Sequence, residues 1–145
     1  MRATASLACR RSYTVRVVAV EVLHPDGIAV PLGHLSNATR VGNRLYLAGL
    51  VALDEHGAVV GPGSIREQTL HVCRSIERIC SQHGASLAAV ARCLVFITDR
   101  ADYAEYDAAF ADAFGEHKPA RATVIADLVN PEFLVEIVSD VELSA

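Results

Sequence analysis

Two charged residues stand where charge is costly. Arg121 follows Pro119-Ala120 at the start of an otherwise apolar segment, Arg121–Leu128, and Glu136 lies between Val135 and Ile137 in another, Leu134–Leu143. A guanidinium in such a setting must reach water or meet an anion, because an unpaired buried charge is expensive. A carboxylate there either pairs with a cation or is placed to handle a proton or a water. Thr123, two residues beyond Arg121, shares its face of a strand. The two segments read as a hairpin with a turn at Asn130-Pro131, across which Arg121 and Glu136 could be neighbours, and spacing alone favours a plain ion pair between them. Other chemistries lack support. There is no GxSxG nucleophile elbow, GxGxxG or P-loop. The four cysteines, Cys9, Cys73, Cys80 and Cys93, form no CxxC pair and have no histidine at zinc-finger spacing, so no metal and no organic cofactor is expected.

The elements that must hold these residues can be read from periodicity. Tyr13–Val22 is rich in β-branched residues and ends at the turn signal His24-Pro25-Asp26-Gly27, which predicts a strand. After a turn at Gly42-Asn43, Leu45–Val51 predicts a second, with Gly49 marking a bulge, a close approach by another group, or simple packing. Ser64 and Glu67 form a capping box, and Ile65, Thr69, Val72, Cys73, Ile76, Ile79 and Cys80 follow helical spacing up to Gly84 at C′. Val90–Thr98 is an apolar run of the buried-strand kind. Asp102–Phe114 predicts a second helix with Tyr103, Tyr106, Phe110, Ala113 and Phe114 on one side, an aromatic stripe that reads as core, and Gly115 at its end. The order of strands, helix, strand, helix, two strands predicts an α+β fold, with helices on one face of a sheet.

Composition limits the function further. At 145 residues the chain suits one domain, read here as 13–145, and 52% apolar against 21% charged residues is enough for a core. No apolar run is long enough to cross a bilayer, and a net charge of -4 argues against nucleic acid as partner. Residues 1–12 read as a disordered extension. Their arginines and lack of acids also fit a transit peptide. Reduced thiols suit a cytoplasmic location.

The stretch Gly33–Gly49, G-H-L-S-N-A-T-R-V-G-N-R-L-Y-L-A-G, resembles the opening motif of the RidA/YjgF family of reactive-intermediate deaminases. Gly57–Val60 resembles its second hairpin, Gln68 its helix glutamine and Val95–Asp99 its buried strand. The strongest likeness is Pro119-Ala120-Arg121-Ala122-Thr123-Val124 with Leu134–Ile137. The resemblance spans about residues 30–143. It implies a chorismate-mutase-like subunit, a mixed sheet with two helices, in a homotrimer with sites between subunits.

By the same resemblance, Arg121 would grip the substrate carboxylate in bidentate fashion and Glu136 would orient or activate the attacking water. Leu35, Ala48, Gly49 and Thr123 would line the substrate site. The implied activity is hydrolysis of an enamine or imine acid to ammonia and a 2-keto acid, as in 2-iminobutanoate/2-iminopropanoate deaminases. The alternatives are a non-catalytic carboxylate-binding or regulatory trimer and an endoribonuclease-like activity. Leu35 stands where archetypal members have tyrosine, Ala48 where they have serine, Leu50 for glutamine and Thr123 for cysteine. Each change removes or alters a polar group, which predicts a more apolar pocket and a bulkier substrate such as 2-aminomuconate.

Overall fold

The computed structural model describes residues 18–144, so the expected extension, residues 1–12, lies outside the described residues. The elements are β1 (Glu21–Leu23), β2 (Ala38–Val41), β3 (Arg44–Leu50), α1 (Ile65–Gln82), β4 (Val90–Ile97), α2 (Tyr103–Phe114), β5 (Ala120–Ile125) and β6 (Val135–Glu142). Of the strand expected over Tyr13–Val22, only the end lies in β1, and residues 13–17 are outside the described part. Pairing begins at Glu21 because its partner on β2 is Arg40, close to where that short strand turns at Gly42-Asn43.

Six strands form one sheet in the order β1-β2-β3-β6-β4-β5. β5 runs parallel to β4 and the other pairs are antiparallel, so the sheet is mixed. This corrects the expected hairpin: β4 lies between β5 and β6. A parallel pair needs a long crossover, and α2 supplies it between β4 and β5. The segment after β5 then passes the end of β4, where Ala126 donates to the Ile97 carbonyl and Thr98 to the Leu134 carbonyl. β4 thereby becomes an inner strand with both backbone edges paired.

Alternation along the strands sorts residues to two faces. Val135, Ile137, Ser139 and Val141 of β6 and Val90, Cys93, Val95 and Ile97 of β4 are buried toward the helices. Against them pack Val72, Cys73, Ile76, Ile79 and Cys80 of α1 with Tyr106, Phe110 and Phe114 of α2. At the N-terminus of α1 the Ser64 hydroxyl accepts from Glu67 N–H. The reciprocal half of the capping box is replaced, since Ser64 N–H donates to the Gly61 carbonyl. Gly84 takes a φ of 71° at C′, where it ends the helix as expected.

Candidate active site

Glu136 alternates with the core-facing Val135 and Ile137, so its carboxylate lies on the sheet face away from the helices. Across from it, the β3–β6 pairing slips between Leu47 and Leu50, and the bulge presents Ala48 and Gly49 toward Glu136. The side chain rests so closely on Gly49 that a β-carbon there would collide with Oε1 and come within 2.7 Å of Cδ. Gly49 is therefore both the bulge and the close approach that its position suggested. Among the described residues Glu136 has no ion-pair or side-chain hydrogen-bond partner, and burial pushes its pKa above the ordinary carboxylate value. A carboxylate so placed is unneutralised and able to take a proton from a water beside it.

Glu136, Ala48 and Gly49 line one wall of a cavity of about 330 Å³. Two buried amides build its frame. Gln68 donates to the Gly61 and Glu132 carbonyls and accepts from Leu134 N–H at 2.9 Å, which fixes the loop entering β6 two residues before Glu136. Asn37 donates to the Ala29 carbonyl at 3.0 Å, while Ala48 N–H donates to the Asn37 carbonyl at 2.9 Å, tying the 28–32 segment against the bulge. Gly49→Ala should displace the Glu136 carboxylate, because its flexible end yields more easily than backbone. The expected result is a fall in turnover of at least about tenfold with little change in melting temperature. Paired thermal denaturation and rate measurements would check it, and full activity in a folded variant would refute it.

Arg121 occupies the other face. It pairs in register with Cys93, whose thiol meets the Ser139 hydroxyl in the core, and its guanidinium lies against α2. There it stacks 5.2 Å from the Tyr106 ring centre and 4.6 Å from that of Phe110, and it is bonded to the Asp107 carboxylate. Burial opposes the charge, but the hydrogen bond and the attraction of Asp107 outweigh it and raise the pKa. Thr123 lies on the same face as expected, its hydroxyl 3.3 Å from the Tyr106 phenol. Burial pushes that phenol up to about 12, so it stays neutral near pH 7.

The structure thus gathers the expected residues into two groups. Leu35, Ala48, Gly49 and Glu136 line one cavity, while Arg121 and Thr123 sit on the opposite face, two strand spacings or about 9.5 Å across the sheet. An Arg121–Glu136 ion pair within one chain is corrected accordingly: the partner of Arg121 is Asp107. Sequence reasoning missed Asp107, whose only signal was its place beside the aromatic stripe of α2. It also missed Phe133 and the 28–32 segment as cavity walls. The thiols of Cys73 and Cys80 are pushed up to about 12 by burial, and that of Cys93 is also raised by burial, so none is a ready nucleophile.

Known proteins resemble this chain along most of its length. The sequence model of the family described as Endoribonuclease L-PSP matches residues 27–143. The chain is 39% identical over 119 residues to the 3-aminoacrylate deaminase RutC of Acinetobacter baylyi, covering 82% of this chain and 94% of that protein. A RutC family protein of Pyrococcus abyssi is 33% identical over 120 residues, with 83% and 94% covered. The crystal structure of RidA from the Antarctic bacterium Psychrobacter superposes with a TM-score of 0.78 at 29% identity, covering 85% of this chain and 99% of that one.

Proposed function

The chain belongs to the endoribonuclease L-PSP family, also called RidA/YjgF, and on that premise we propose that it is a hydrolytic deaminase of enamine or imine acids. The observation that carries the reading is Glu136: a carboxylate with no cation against it among the described residues, raised in pKa by burial, lying on glycine backbone in the wall of a cavity. In its ionised form it would orient a water and accept a proton as oxygen adds to the C=N carbon. That proton passes to the nitrogen to give a carbinolamine; the hydroxyl proton then follows it to nitrogen as the C=O bond forms, the C–N bond breaks and ammonia leaves a keto acid. An enamine first tautomerises to the imine. Arg121 would hold the substrate carboxylate through the open side of its fork, its other side being held by Asp107. The name of the Acinetobacter relative, a 3-aminoacrylate deaminase, supports the same reaction class.

Arg121 and Glu136 can serve one substrate only if they come from different copies, because a single chain turns them to opposite faces. The sheet itself offers the means. β5 is an edge strand, and Ala120, Ala122, Val124 and Ile125 are exposed along it, a surface that a second copy would cover. A homotrimer with sites between subunits is expected, and sedimentation equilibrium at micromolar concentration would check it; a stable monomer would remove the shared site. A cytoplasmic setting suits the free thiols of Cys73, Cys80 and Cys93.

The reaction is tested by generating imino acids in situ from amino acids with an amino-acid oxidase and following keto-acid and ammonia release above buffer hydrolysis. Ligand affinity with no release would instead favour the binding-only reading, which Leu35 and Ala48, standing where the family resemblance implies tyrosine and serine, make worth separating. Ribonuclease activity has weaker support. Arg44, Arg66, Arg92 and Arg121 are each matched by a carboxylate, leaving them poorly suited to a run of phosphates.

A further inference from the structure

The cavity beside Glu136 carries chemical information beyond the reaction. Its walls include Val30, Leu32, Leu35, Leu50, Val129 and Phe133, and among all its described lining residues Glu136 is the single charged one. In the single chain Val30, Leu32 and Val129 are 78%, 91% and 96% exposed, so apolar side chains ring the mouth on the side where a second copy would complete the site. They enclose a concavity of ligand size rather than a flat patch. Among the described lining residues the one side-chain amide, Asn37, already donates to the Ala29 carbonyl and lies beside His24.

Resting on the deaminase reading, we infer that this cavity selects imino acids with one carboxylate and an apolar side chain, of the kind formed from leucine or phenylalanine. A second carboxylate, as on an aminomuconate, would enter a wall whose described residues in this chain offer no cation, and would face the ionised Glu136. It would lose hydration without a partner and be repelled. An aliphatic or aromatic side chain has the opposite balance, since every added carbon it buries against Leu35, Leu50 and Phe133 favours binding. A methyl group, as in the imine of alanine, would leave most of the cavity unfilled. Leu35 is the residue that sets the preference at the mouth, because it is half exposed and faces the cavity without being part of the core.

The test compares imines generated in situ by amino-acid oxidases from leucine, phenylalanine, alanine, aspartate and glutamate, read as kcat/KM for keto-acid release. The leucine and phenylalanine imines should exceed the alanine imine by about tenfold or more, the scale on which an apolar pocket discriminates by a few carbons. The aspartate and glutamate imines should stay near the uncatalysed rate. In Leu35→Lys the order should shift, with the glutamate imine gaining and the leucine imine losing about tenfold. Equal rates on all five, or a preference for the two dicarboxylates, would overturn the inference while the deaminase reading stands. An unchanged profile in Leu35→Lys would overturn the role given to Leu35. Hydrolysis of none of the five would sink the deaminase reading and the inference with it.

Discussion

Arg121→Ala should lower kcat/KM for imine hydrolysis by about a hundredfold or more while the protein remains folded and assembled. The magnitude follows from the contact that is lost. A charge-assisted hydrogen bond contributes about 1.5–3 kcal/mol, and a fork closing on a carboxylate makes two. The structural cost of the same change is smaller. Arg121 is joined to Asp107 and stacks on Tyr106 and Phe110, but the Asp107 side chain is 47% exposed and would be hydrated once alone. A partly exposed ion pair contributes about 1 kcal/mol or less, and cation–π stacking about 1–2 kcal/mol. The melting temperature should therefore fall by a few degrees. Arg121→Lys should recover stability in part and activity hardly at all, because an ammonium keeps the charge without the planar fork. Rates, affinity for a stable keto-acid analogue, and thermal denaturation on both variants would decide the matter. Full activity in folded Arg121→Ala would end the carboxylate-grip assignment.

Where sequence succeeded and failed has a physical pattern. The helix over Ile65–Gln82 was legible because its cap, its apolar spacing and its C′ glycine all act within a few residues. Gly49 was legible as a place where the chain bends or something comes close, but not what comes close, since Glu136 arrives from the far end of the chain. Strand partners were the hidden part. Arg121–Leu128 and Leu134–Leu143 are adjacent in sequence and read as a hairpin, whereas the parallel β4–α2–β5 crossover places β4 between them. Alternation fixes which residues share a face of one strand; it does not say which strand lies next. For that reason Arg121 and Thr123 could be grouped in advance, while the separation of Arg121 from Glu136 could not. Asp107 was hidden by the same fact, because it reaches Arg121 only once α2 is laid over β5 as the crossover helix.

Glu136→Gln should separate stability from chemistry in opposite directions. The shape of the side chain is kept, so the cavity and its contact with Gly49 should persist, and carboxylate binding through Arg121 should be nearly unchanged. The chemical step should slow by about 10²–10⁴-fold, the usual contribution of a positioned general base. The pH dependence gives a second reading. Burial raises the pKa of Glu136 in the folded protein, so the folded state holds that proton more tightly than the unfolded chain does. The stabilisation that follows is fully present below the unfolded pKa and is lost as pH rises through the raised folded value. Above that value the wild type carries an ionised carboxylate at a desolvation cost, and the glutamine variant does not. The variant should melt no lower than the wild type near pH 7, and any advantage should disappear in acid. Activity runs the other way, because only the ionised form accepts a proton. Wild-type kcat should decline as pH falls through the raised pKa, with its acid limb above the range of an unperturbed carboxylate, and the residual activity of Glu136→Gln should lack that limb. Rate–pH profiles and melting curves on the two proteins supply both readings. An acid limb that persists in Glu136→Gln, or a variant that unfolds at neutral pH, would make Glu136 a structural residue and leave the water without its base.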